Sequence, residues 1–554
     1  MMPRMKMLAG FLSFLFLAVS MAWASDDSIV VGNLEFDHST IHTIGLSLRI
    51  LSGDRNFNAS ARASYRPVGS SVWHEAFPPQ RVRTDTLSQR DPTPFPIVEQ
   101  FAGSIFDLDA DTDYEIVLDI ADLEGEHAVR KGTVRTRSLP LVEPKSPHFV
   151  HVDSDRALSD AVSAARPGDV IVLAGGVYAG PIHLKQSGTA SDPIVLRGAH
   201  RDGTIVEAPA NDYGVVITGS HVILEEVTIR RSAWGIRMTN ATDIVVRHTR
   251  ITDVQYGIDA TGGTNTNFYI CDNDLKGKAV AWPDTGPRTW NFEGIVVTGS
   301  GHVICHNTLS GFGDALGLSH HTSIPNRAID FYGNDVLWGG DDGVELDYSE
   351  RNVRAFRNRF GNVGMGISFQ PIWGGPVYAF RNVIYNTAKA PYKLNQDPSG
   401  FHIFHNTSIR PGWGWVQYGN QASNFSFVNN LTVGTENAVN VMPAIRLGRI
   451  DFNGWSPDGQ FTFTNSWYGF GELHEHSPYE RHGVLLNQPV FRNPIAIPPQ
   501  FSAFMRPPAA MLHSASNAVD AGVRLPDIND AYHGEAPDLG ALEADDPVPT
   551  YGVR

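Results

Sequence analysis

Four carboxylates and one lysine in the second half of the chain have the types and spacing of a metal site with a nearby base. Asp341, Asp342 and Glu345 lie in the segment DDGVE, and Asp314 stands 27 residues before Asp341. Carboxylates gathered at one turn repel each other unless a cation neutralises them, and a set of oxygen ligands suits Ca²⁺. Lys393, in the segment YKLN, is a candidate base for removing a proton. The alternative is a solvated acidic turn, which Asp and Gly favour, with a surface lysine.

A recurring asparagine indicates how these residues are positioned. The asparagines of the segments CDND, CHNT, YGND, FRNR, FRNV, FHNT and VNNL align, and most are 23 to 27 residues apart. They are Asn273, Asn307, Asn334, Asn358, Asn382, Asn406 and Asn429. A fixed period of about two dozen residues, built from short strands, predicts a β-solenoid. Stacked asparagines would satisfy backbone groups at a tight bend in every coil.

Each coil also carries a short apolar run in which buried and exposed positions alternate, as in a strand with one buried face. Val344 and Leu346 are predicted to point inward, so Glu345 points outward. Taken coil by coil, the outward position forms one external row. The predicted row is Val216, Arg237, Asp259, Val296, Gly317, Glu345, Ser368 and Lys393. It brings Glu345 and Lys393 onto one face, two coils apart, with the other three carboxylates at the turn before the strands.

The segment 341–346, preceded by Asp314 and followed two coils later by Tyr392-Lys393-Leu394, resembles the family 9 polysaccharide lyases. In that family a DDGxD turn and an acidic residue of the preceding coil hold calcium, and a lysine in a similar setting is the catalytic base. The resemblance implies that the four carboxylates named above bind Ca²⁺ and that Lys393 removes the C5 proton of a uronic acid. Elimination of the glycosidic oxygen at C4 would follow. Glu345 stands where the family usually has Asp, so the substrate need not be pectate.

Five further side chains are candidates for binding the sugar. Arg357 and Arg381, in adjacent FRN turns, are possible partners of a substrate carboxylate, or they are structural because both precede aligned asparagines. Trp373, in QPIWGGPVY, and Trp415, in GWGW, are candidates to stack on sugar rings, or they cover the edge of the core. His320, in the segment SHH, is a candidate substrate-binding residue.

Other functions fit parts of the same pattern. Gly340-Asp341-Asp342 resembles the paired aspartates of polygalacturonases, but the RIK and GHG segments of that family are missing. The alginate and dermatan lyase group also has a DG-carboxylate strand, loosely like DGVELDYSERN, but its lysine after the strand is absent. A C5-epimerase shares the proton abstraction, although the DPH signature of the mannuronan epimerases is missing. A non-catalytic polysaccharide-binding β-helix needs neither the carboxylates nor Lys393.

The chain begins with features of an export signal. Residues 1–24 contain Arg4 and Lys6, an apolar run and the small-residue end Ala22-Trp23-Ala24, which predicts a cleaved signal peptide and a secreted or periplasmic protein. Cleavage would take the formal net charge from −16 to −18, because this segment holds two basic residues and no acidic one. A net acidic chain argues against nucleic acid as the partner. We expect a monomer without a membrane span that binds an acidic polysaccharide.

The rest of the chain divides into four predicted parts. Residues 25–139 read as a small antiparallel sandwich, and LDADTDYEIVLDI resembles the fibronectin type III corner, with Tyr114 as its tyrosine. A proline-containing linker follows at 140–148. Residues 149–475 are predicted to form the solenoid, whose opening helix and strands resemble those of right-handed parallel β-helix proteins, and 476–554 a capping segment.

The only two cysteines, Cys271 and Cys305, fall at the same register of neighbouring repeats. An exported compartment permits a disulfide. The alternative, at least as favoured by the sequence, is a pair of small buried hydrophobic residues, since parallel in-register strands rarely have disulfide geometry.

Overall fold

The computed structural model of the protein describes residues 27–123, 127–278, 292–319, 323–416, 421–441, 445–497 and 504–554. The predicted signal peptide and His320 lie outside these ranges. Within them, no helix combines the length and the apolarity that crossing a bilayer requires.

The N-terminal part is a sandwich of two four-stranded antiparallel sheets, with strand orders β1-β2-β6-β5 and β4-β3-β7-β8. Its strands are β1 Val30–Phe36, β2 Ile44–Ser52, β3 Ser60–Pro67, β4 His74–Glu75, β5 Gln80–Val82, β6 Gln100–Ile105, β7 Asp113–Ala121 and β8 Ala128–Arg135. A short 3-10 helix, Thr84–Thr86, follows β5. Side chains of β7 alternate between buried and more exposed, which places Ile116 and Leu118 in the core between the sheets. The hydroxyl of Tyr114 accepts a hydrogen bond from the N–H of Asp109 at 2.9 Å, which ties the start of β7 to the preceding turn.

The larger part is a parallel β-solenoid of about 12 turns. Its first strands are β9 His148–Val152, β10 Asp169–Leu173, β11 Gly176–Ala179, β12 Ile182–Leu184, β13 Ile194–Gly198, β14 Thr204–Glu207, β15 Tyr213–Ile217, β16 Val222–Glu225, β17 Thr228–Arg230, β18 Trp234–Thr239, β19 Ile244–Arg247, β20 Arg250–Val254, β21 Tyr256–Gly262, β22 Tyr269–Cys271, β23 Asp274–Gly277, β24 Glu293–Val297, β25 Val303–Cys305, β26 Thr308–Phe312 and β27 Asp314–Leu318.

The later strands are β28 Asn326–Tyr332, β29 Asp335–Gly339, β30 Asp342–Glu345, β31 Ser349–Phe356, β32 Arg359–Gly361, β33 Met365–Ser368, β34 Trp373–Phe380, β35 Val383–Tyr385, β36 Ala390–Lys393, β37 Ser399–Phe404, β38 Thr407–Ile409, β39 Trp415–Val416, β40 Ala422–Val428, β41 Leu431–Val433, β42 Val439–Val441, β43 Ile445–Asp451, β44 Gly454–Ser456, β45 Gln460–Phe463, β46 Asn465–Tyr468 and β47 Val484–Leu485. The α-helices among the described residues are α1 Asp155–Ala164 and α2 Phe470–His476.

Three long parallel sheets form the walls of the solenoid. Sheet 1 has thirteen strands from β9 to β43, sheet 2 has thirteen from β11 to β47, and sheet 3 has nine from β12 to β36. Strands β39, β42, β45 and β46 form a further small sheet. Apolar side chains from all three walls fill one continuous core. The predicted all-β fold is therefore confirmed, and the last parallel strand, β47, lies beyond the predicted solenoid boundary at residue 475.

The asparagine ladder lies at the bend between sheet 1 and sheet 2. Asn358 is typical: its side-chain amide donates to the carbonyl of Phe331 at 2.8 Å and to Oδ1 of Asn382 at 3.0 Å. Its own Oδ1 accepts from the N–H and the side-chain amide of Asn334. Every donor and acceptor of the buried amide is thereby used, and one coil is linked to the next.

One member of the predicted ladder was wrong. Asn406 donates to Asn430, not to Asn429, and the ladder continues through Asn453 to the carboxylate of Glu480. In each coil the ladder residue directly precedes the strand of sheet 2, and the residue before it has a left-handed backbone. Asn429 occupies that left-handed position, with φ of 59°. The doubled asparagine in VNNL hid this one-residue difference.

Both ends of the solenoid core are covered. Helix α1 has Ser154 as its N-cap and buries Leu158 and Val162 against the first strands. Helix α2 buries Leu473 at the other end. Beyond β47 the chain runs along sheet 2 and packs Leu512 and Leu539, among others, on it. These coverings keep unpaired sheet edges and apolar ends from water.

Cys271 and Cys305 form a disulfide. They are paired residues at the ends of β22 and β25, with Cα atoms 4.6 Å apart, which lies within the range that a disulfide spans. The alternative of two free buried cysteines is thereby resolved in favour of the bridge.

The sandwich packs against sheet 1 through buried charged groups. The side chain of Arg354 is wholly buried, with Nε 2.6 Å from Oδ1 of Asp330. Oδ2 of Asp330 accepts hydrogen bonds from the hydroxyls of Thr40 and Thr43 of the sandwich. Arg351 pairs with Asp37 at 2.8 Å. Because charges buried in this way need their partners, the two domains are fixed to each other in one orientation.

Candidate active site

The predicted external row exists, and its members lie in register on sheet 3. The strand pairings join Val216 to Arg237, Arg237 to Asp259, Asp259 to Val296, Val296 to Gly317, Gly317 to Glu345, Glu345 to Ser368 and Ser368 to Lys393. Side chains in one row of a parallel sheet are separated by about 4.8 Å per strand. Long side chains two coils apart, such as Glu345 and Lys393, can therefore meet.

Three of the predicted metal ligands converge at the turn before these strands. One carboxylate oxygen from each of Asp314, Asp341 and Asp342 lies within 4.8 Å of the other two. The N–H of Asp342 donates to Oδ1 of Asp314 at 3.0 Å, which holds the two turns together. The Asp342 side chain has no solvent exposure, and its Oδ1 has no hydrogen-bond partner among the described residues.

The electrostatics of this cluster fit a divalent cation. Burial, then the neighbouring Asp342 and Asp341, raise the pKa of Asp314 well above its ordinary value. Burial and the nearby Asp314 and Asp347 do the same to the pKa of Glu345. A bound cation would remove this repulsion, and the donors are all oxygen, as Ca²⁺ prefers. The orphaned oxygen of Asp342 would then gain a partner.

Lys393 reaches this cluster from two coils away. Its Nζ lies 2.8 Å from Oδ2 of Asp342 and 3.9 Å from Oε1 of Glu345, and 12% of its side chain is exposed. Burial alone would lower the pKa of Lys393, but the carboxylates of Asp342, Asp347 and Glu345 raise it above its usual range. The ammonium form is therefore the resting state of this lysine without a metal.

Lys389 offers a contrast four residues earlier. Its Nζ lies 3.4 Å from Oδ1 of Asp341, and 42% of its side chain is exposed. An ion pair this exposed contributes little to stability. Two lysines thus contact the acidic turn, one from solvent and one from within the row.

Sequence reasoning missed Asp347. It is buried, accepts a hydrogen bond from the N–H of Gln370 at 2.6 Å, and its burial raises its pKa to about 7 against the opposing effect of Lys393. The strand alternation could not have found it, because β30 ends at Glu345 and Asp347 lies in the turn that follows.

A second row runs beside the first, at the residues that begin the strands of sheet 3. The pairings put Tyr213, Trp234 and Tyr256 in register, and the rings of Trp234 and Tyr256 are stacked with centroids 5.2 Å apart. Further along this edge Glu293 pairs with Asp314. Burial, then Asp259, raise the pKa of Glu293 to about 7. The edge thus changes from half-exposed aromatic rings to carboxylates as it approaches Lys393.

The two predicted arginines lie elsewhere. Arg357 and Arg381 occupy the left-handed position before ladder asparagines, so their side chains leave the corner between sheets 1 and 2, not sheet 3. The guanidinium of Arg357 makes two hydrogen bonds to Asp107 of the sandwich, at 2.7 and 2.6 Å. Arg381 lies 3.6 Å from Glu543. Neither is brought to the carboxylate cluster.

The two predicted tryptophans are buried, which corrects the expectation that they stack on sugar. Trp415 has no exposed surface and stacks on Phe427 inside the core. Trp373 is 3% exposed, and its Nε1–H donates to the carbonyl of Asp91 of the sandwich at 3.0 Å. The sequence does not distinguish a tryptophan that lines a substrate-binding groove from one that another part of the chain covers. His320 lies outside the described residues.

No protein-family profile matches the chain, and no curated protein does. Several solved structures do. Pectate lyase Pel9A is 19% identical over 72% of this chain and 97% of that chain, with a TM-score of 0.43. An alginate lyase from Paenibacillus sp. str. FPU-7 is 18% identical over 54% and 98%, with a TM-score of 0.31. The family 28 exopolygalacturonase of Yersinia enterocolitica is 10% identical over 76% and 99%, with a TM-score of 0.37. Likeness at this level does not assign a reaction.

Proposed function

We propose that the protein is an exported, calcium-dependent polysaccharide lyase that cleaves a uronic-acid-containing polysaccharide by β-elimination. One observation carries the proposal: Lys393, buried in the external row, contacts Asp342, whose other oxygen is buried and unpartnered within a triad of carboxylates. A cation site beside a lysine is what proton removal next to a uronate requires.

The residues divide into two roles. Asp314, Asp341 and Asp342 would hold Ca²⁺, with Glu345 close enough in the row to complete the set. Bound there, Ca²⁺ would neutralise the carboxylate of the substrate and make the proton on C5 more acidic. Lys393 accepts that proton on Nζ, and the electrons of the C5–H bond form the C4–C5 double bond. The bond from C4 to the glycosidic oxygen breaks, and that oxygen leaves with the bonding electrons and takes a proton from water to become a hydroxyl.

The pairing with Asp342 sets the condition under which Lys393 acts. A lysine must be neutral to accept a proton, and the contact at 2.8 Å favours the charged form. Lys393 therefore acts as a base in molecules in which the carboxylate of Asp342 binds another group and no longer pairs with the Lys393 ammonium. The disulfide between Cys271 and Cys305 supports placing the reaction outside the cytoplasm, where such bridges persist.

A glycoside hydrolase is the second candidate, and Asp347 favours it. A carboxyl with a pKa of about 7 beside other carboxylates provides an acid and a base in one site, as hydrolases of this kind use. A C5-epimerase would share the proton removal, and a binding protein would need neither step.

Ultraviolet absorbance separates these functions. The purified protein is incubated with polygalacturonate, alginate, glycosaminoglycans and bacterial uronate polysaccharides, each with calcium and with chelator. We expect a calcium-dependent rise from the C4–C5 double bond on one of these polymers. New reducing ends without absorbance would indicate hydrolysis, and solvent deuterium at C5 without cleavage would indicate epimerisation. Absence of all three products would contradict an enzyme acting on these polymers.

A further inference from the structure

The sandwich sends one segment over the start of strands β34 and β37 of sheet 1. This segment, residues 83–97 between β5 and β6, is called the arm. The hydroxyl of Thr86 lies 2.6 Å from that of Ser399, and both residues are buried. The ring of Phe95 meets that of Trp373 edge to face, with centroids 5.4 Å apart.

A glycine of the solenoid lets the arm approach. A Cβ on Gly374 would lie 2.8 Å from Val82, and within 3.5 Å of Leu87 and Ile97, so a larger residue would push this part of the sandwich away. Gly374 also has φ of +97°, which favours glycine. The stretch QPIWGGPVY, in which Trp373 was a candidate to stack on sugar, is the place where the arm docks.

The docked arm reaches the side chains around Lys393. Trp373 contacts the arm through its Nε1–H and contacts Tyr348 with its ring, at 5.4 Å between centroids. Tyr348 directly follows Asp347. Burial, then Asp347, Asp91 and Glu345, raise the pKa of Tyr348.

Arg90 is the basic residue that the arm holds beside Asp397. Its Nε lies 3.3 Å from Oδ2 of Asp397, and 64% of its side chain is exposed. Asp397 follows Lys393 by four residues and is itself fixed by the N–H of Gln421 at 2.9 Å. The guanidinium is thus tethered beside the strand of the candidate base while most of its surface faces water.

A polyanionic substrate needs such a cation, because the acidic cluster repels it and the chain has a net charge of −16. A guanidinium binds a carboxylate with two parallel hydrogen bonds, which also orients the sugar. We propose that the arm forms one wall of the substrate groove and that Arg90 binds a carboxylate of the polysaccharide. This inference rests on the proposed function and assigns the sandwich a part in substrate selection.

Arg90→Gln tests the inference, with Arg446→Gln as the matched control. Arg446 also contacts the arm, through Asp85 at 2.7 Å, and 43% of its side chain is exposed. The substrates are sodium polygalacturonate and sodium alginate with calcium. We expect the KM of Arg90→Gln to rise about tenfold or more, the size of one lost charge-assisted contact, with kcat within about threefold. Arg446→Gln should stay within about twofold of wild type on both constants, and Arg90→Lys should recover part of the loss.

Equal KM values for Arg90→Gln and Arg446→Gln would overturn the role of Arg90 while leaving the lyase proposal intact. A fall in kcat without a rise in KM would overturn it as well, because Arg90 would then act on the reaction and not on binding. A wild-type protein that releases no unsaturated product from these two polymers, nor from the glycosaminoglycans and bacterial uronate polysaccharides named above, would overturn both proposals. Matching thermal melts of the three variants check that the arm stays docked.

Discussion

Two columns of side chains run along the solenoid with the same period. One column repeats a single residue type, and the other varies its residue type. Inside, the column from Asn273 to Asn453 repeats one residue type, and each amide is bonded to the next coil. Outside, the row from Val216 to Lys393 changes residue type from coil to coil. The inner position repeats because each coil has the same backbone groups to satisfy. The outer position is free of that demand, so its chemistry can be concentrated in a few coils.

Gathering charged residues in a few neighbouring coils costs folding free energy. The inner amides leave no charge buried, whereas the outer site gathers carboxylates whose pKa values are raised by burial and by each other. Repulsion of this kind destabilises the folded chain until a cation binds. The inner column should therefore control stability without affecting chemistry, whereas the outer site should control chemistry and make stability depend on the bound cation.

The largest expected effect is the loss of activity in Lys393→Ala. Removing a general base lowers kcat by about 10²- to 10⁴-fold. Initial rates of product absorbance measure it, with Lys389→Ala as the control, because that lysine contacts the same acidic turn from solvent. The control should lose less than about tenfold. Equal losses in the two variants would contradict Lys393 as the base.

Asn358→Ala should have the largest effect on stability. It removes the acceptor of the buried N–H of Asn334, one of the two acceptors of the Asn334 amide, and the side-chain donor to the carbonyl of Phe331. We expect a loss of about 3–5 kcal/mol, measured as a lower denaturant midpoint. The activity of the folded fraction should be unchanged. Val216→Ala in the external row is the comparison and should cost less than about 1 kcal/mol. If both variants unfold alike, the ladder has no special role.

Calcium should reverse the effect of Asp314→Asn on stability. In chelator the variant should be at least as stable as wild type, because the substitution removes a carboxyl whose pKa is raised by burial and by neighbouring carboxylates. With calcium at a hundredfold excess over its Kd, wild type should gain about 2.7 kcal/mol and the variant less. Thermal melts with calcium and with chelator measure this. The same gain in both proteins would place the cation elsewhere.

The smallest predicted effect lies at the end of the ladder, where Glu480 replaces asparagine. Burial raises its pKa to about 8, so the folded chain keeps a proton that the unfolded chain releases near its ordinary value of 4.5. The unfolding free energy of wild type should therefore fall as pH rises from about 5 to about 8. Glu480→Gln should flatten this slope and be more stable near pH 8, by on the order of 1–2 kcal/mol. Parallel pH profiles of the two proteins would contradict a buried protonated Glu480.

The accuracy of the sequence-based predictions follows from the same comparison. The period of the asparagines and the alternation within strands predicted the solenoid and the whole external row, because both are local and repeated. The ladder failed by one residue at Asn429, where two adjacent asparagines made the alignment ambiguous. Asp347 was missed because it lies in the turn after β30, where the alternation no longer applies.

Residues outside the repeat were beyond sequence reasoning. Arg357 and Arg381 carry the right charge, but the corner that they occupy is covered by the sandwich and the C-terminal segment. Trp373 and Trp415 are the right type, but one lies under the arm and the other inside the core. Nothing local in the chain indicates which outer face another domain will cover.

The sequence by itself therefore determined the solenoid, its internal ladder and the row that joins Glu345 to Lys393, because each depends on spacing between neighbouring coils. The tertiary structure decided how near the carboxylates lie to one another, which cations face them and what the sandwich does. Those depend on contacts between segments such as Arg90 and Asp397, which are about 300 residues apart and meet only when the two domains pack together.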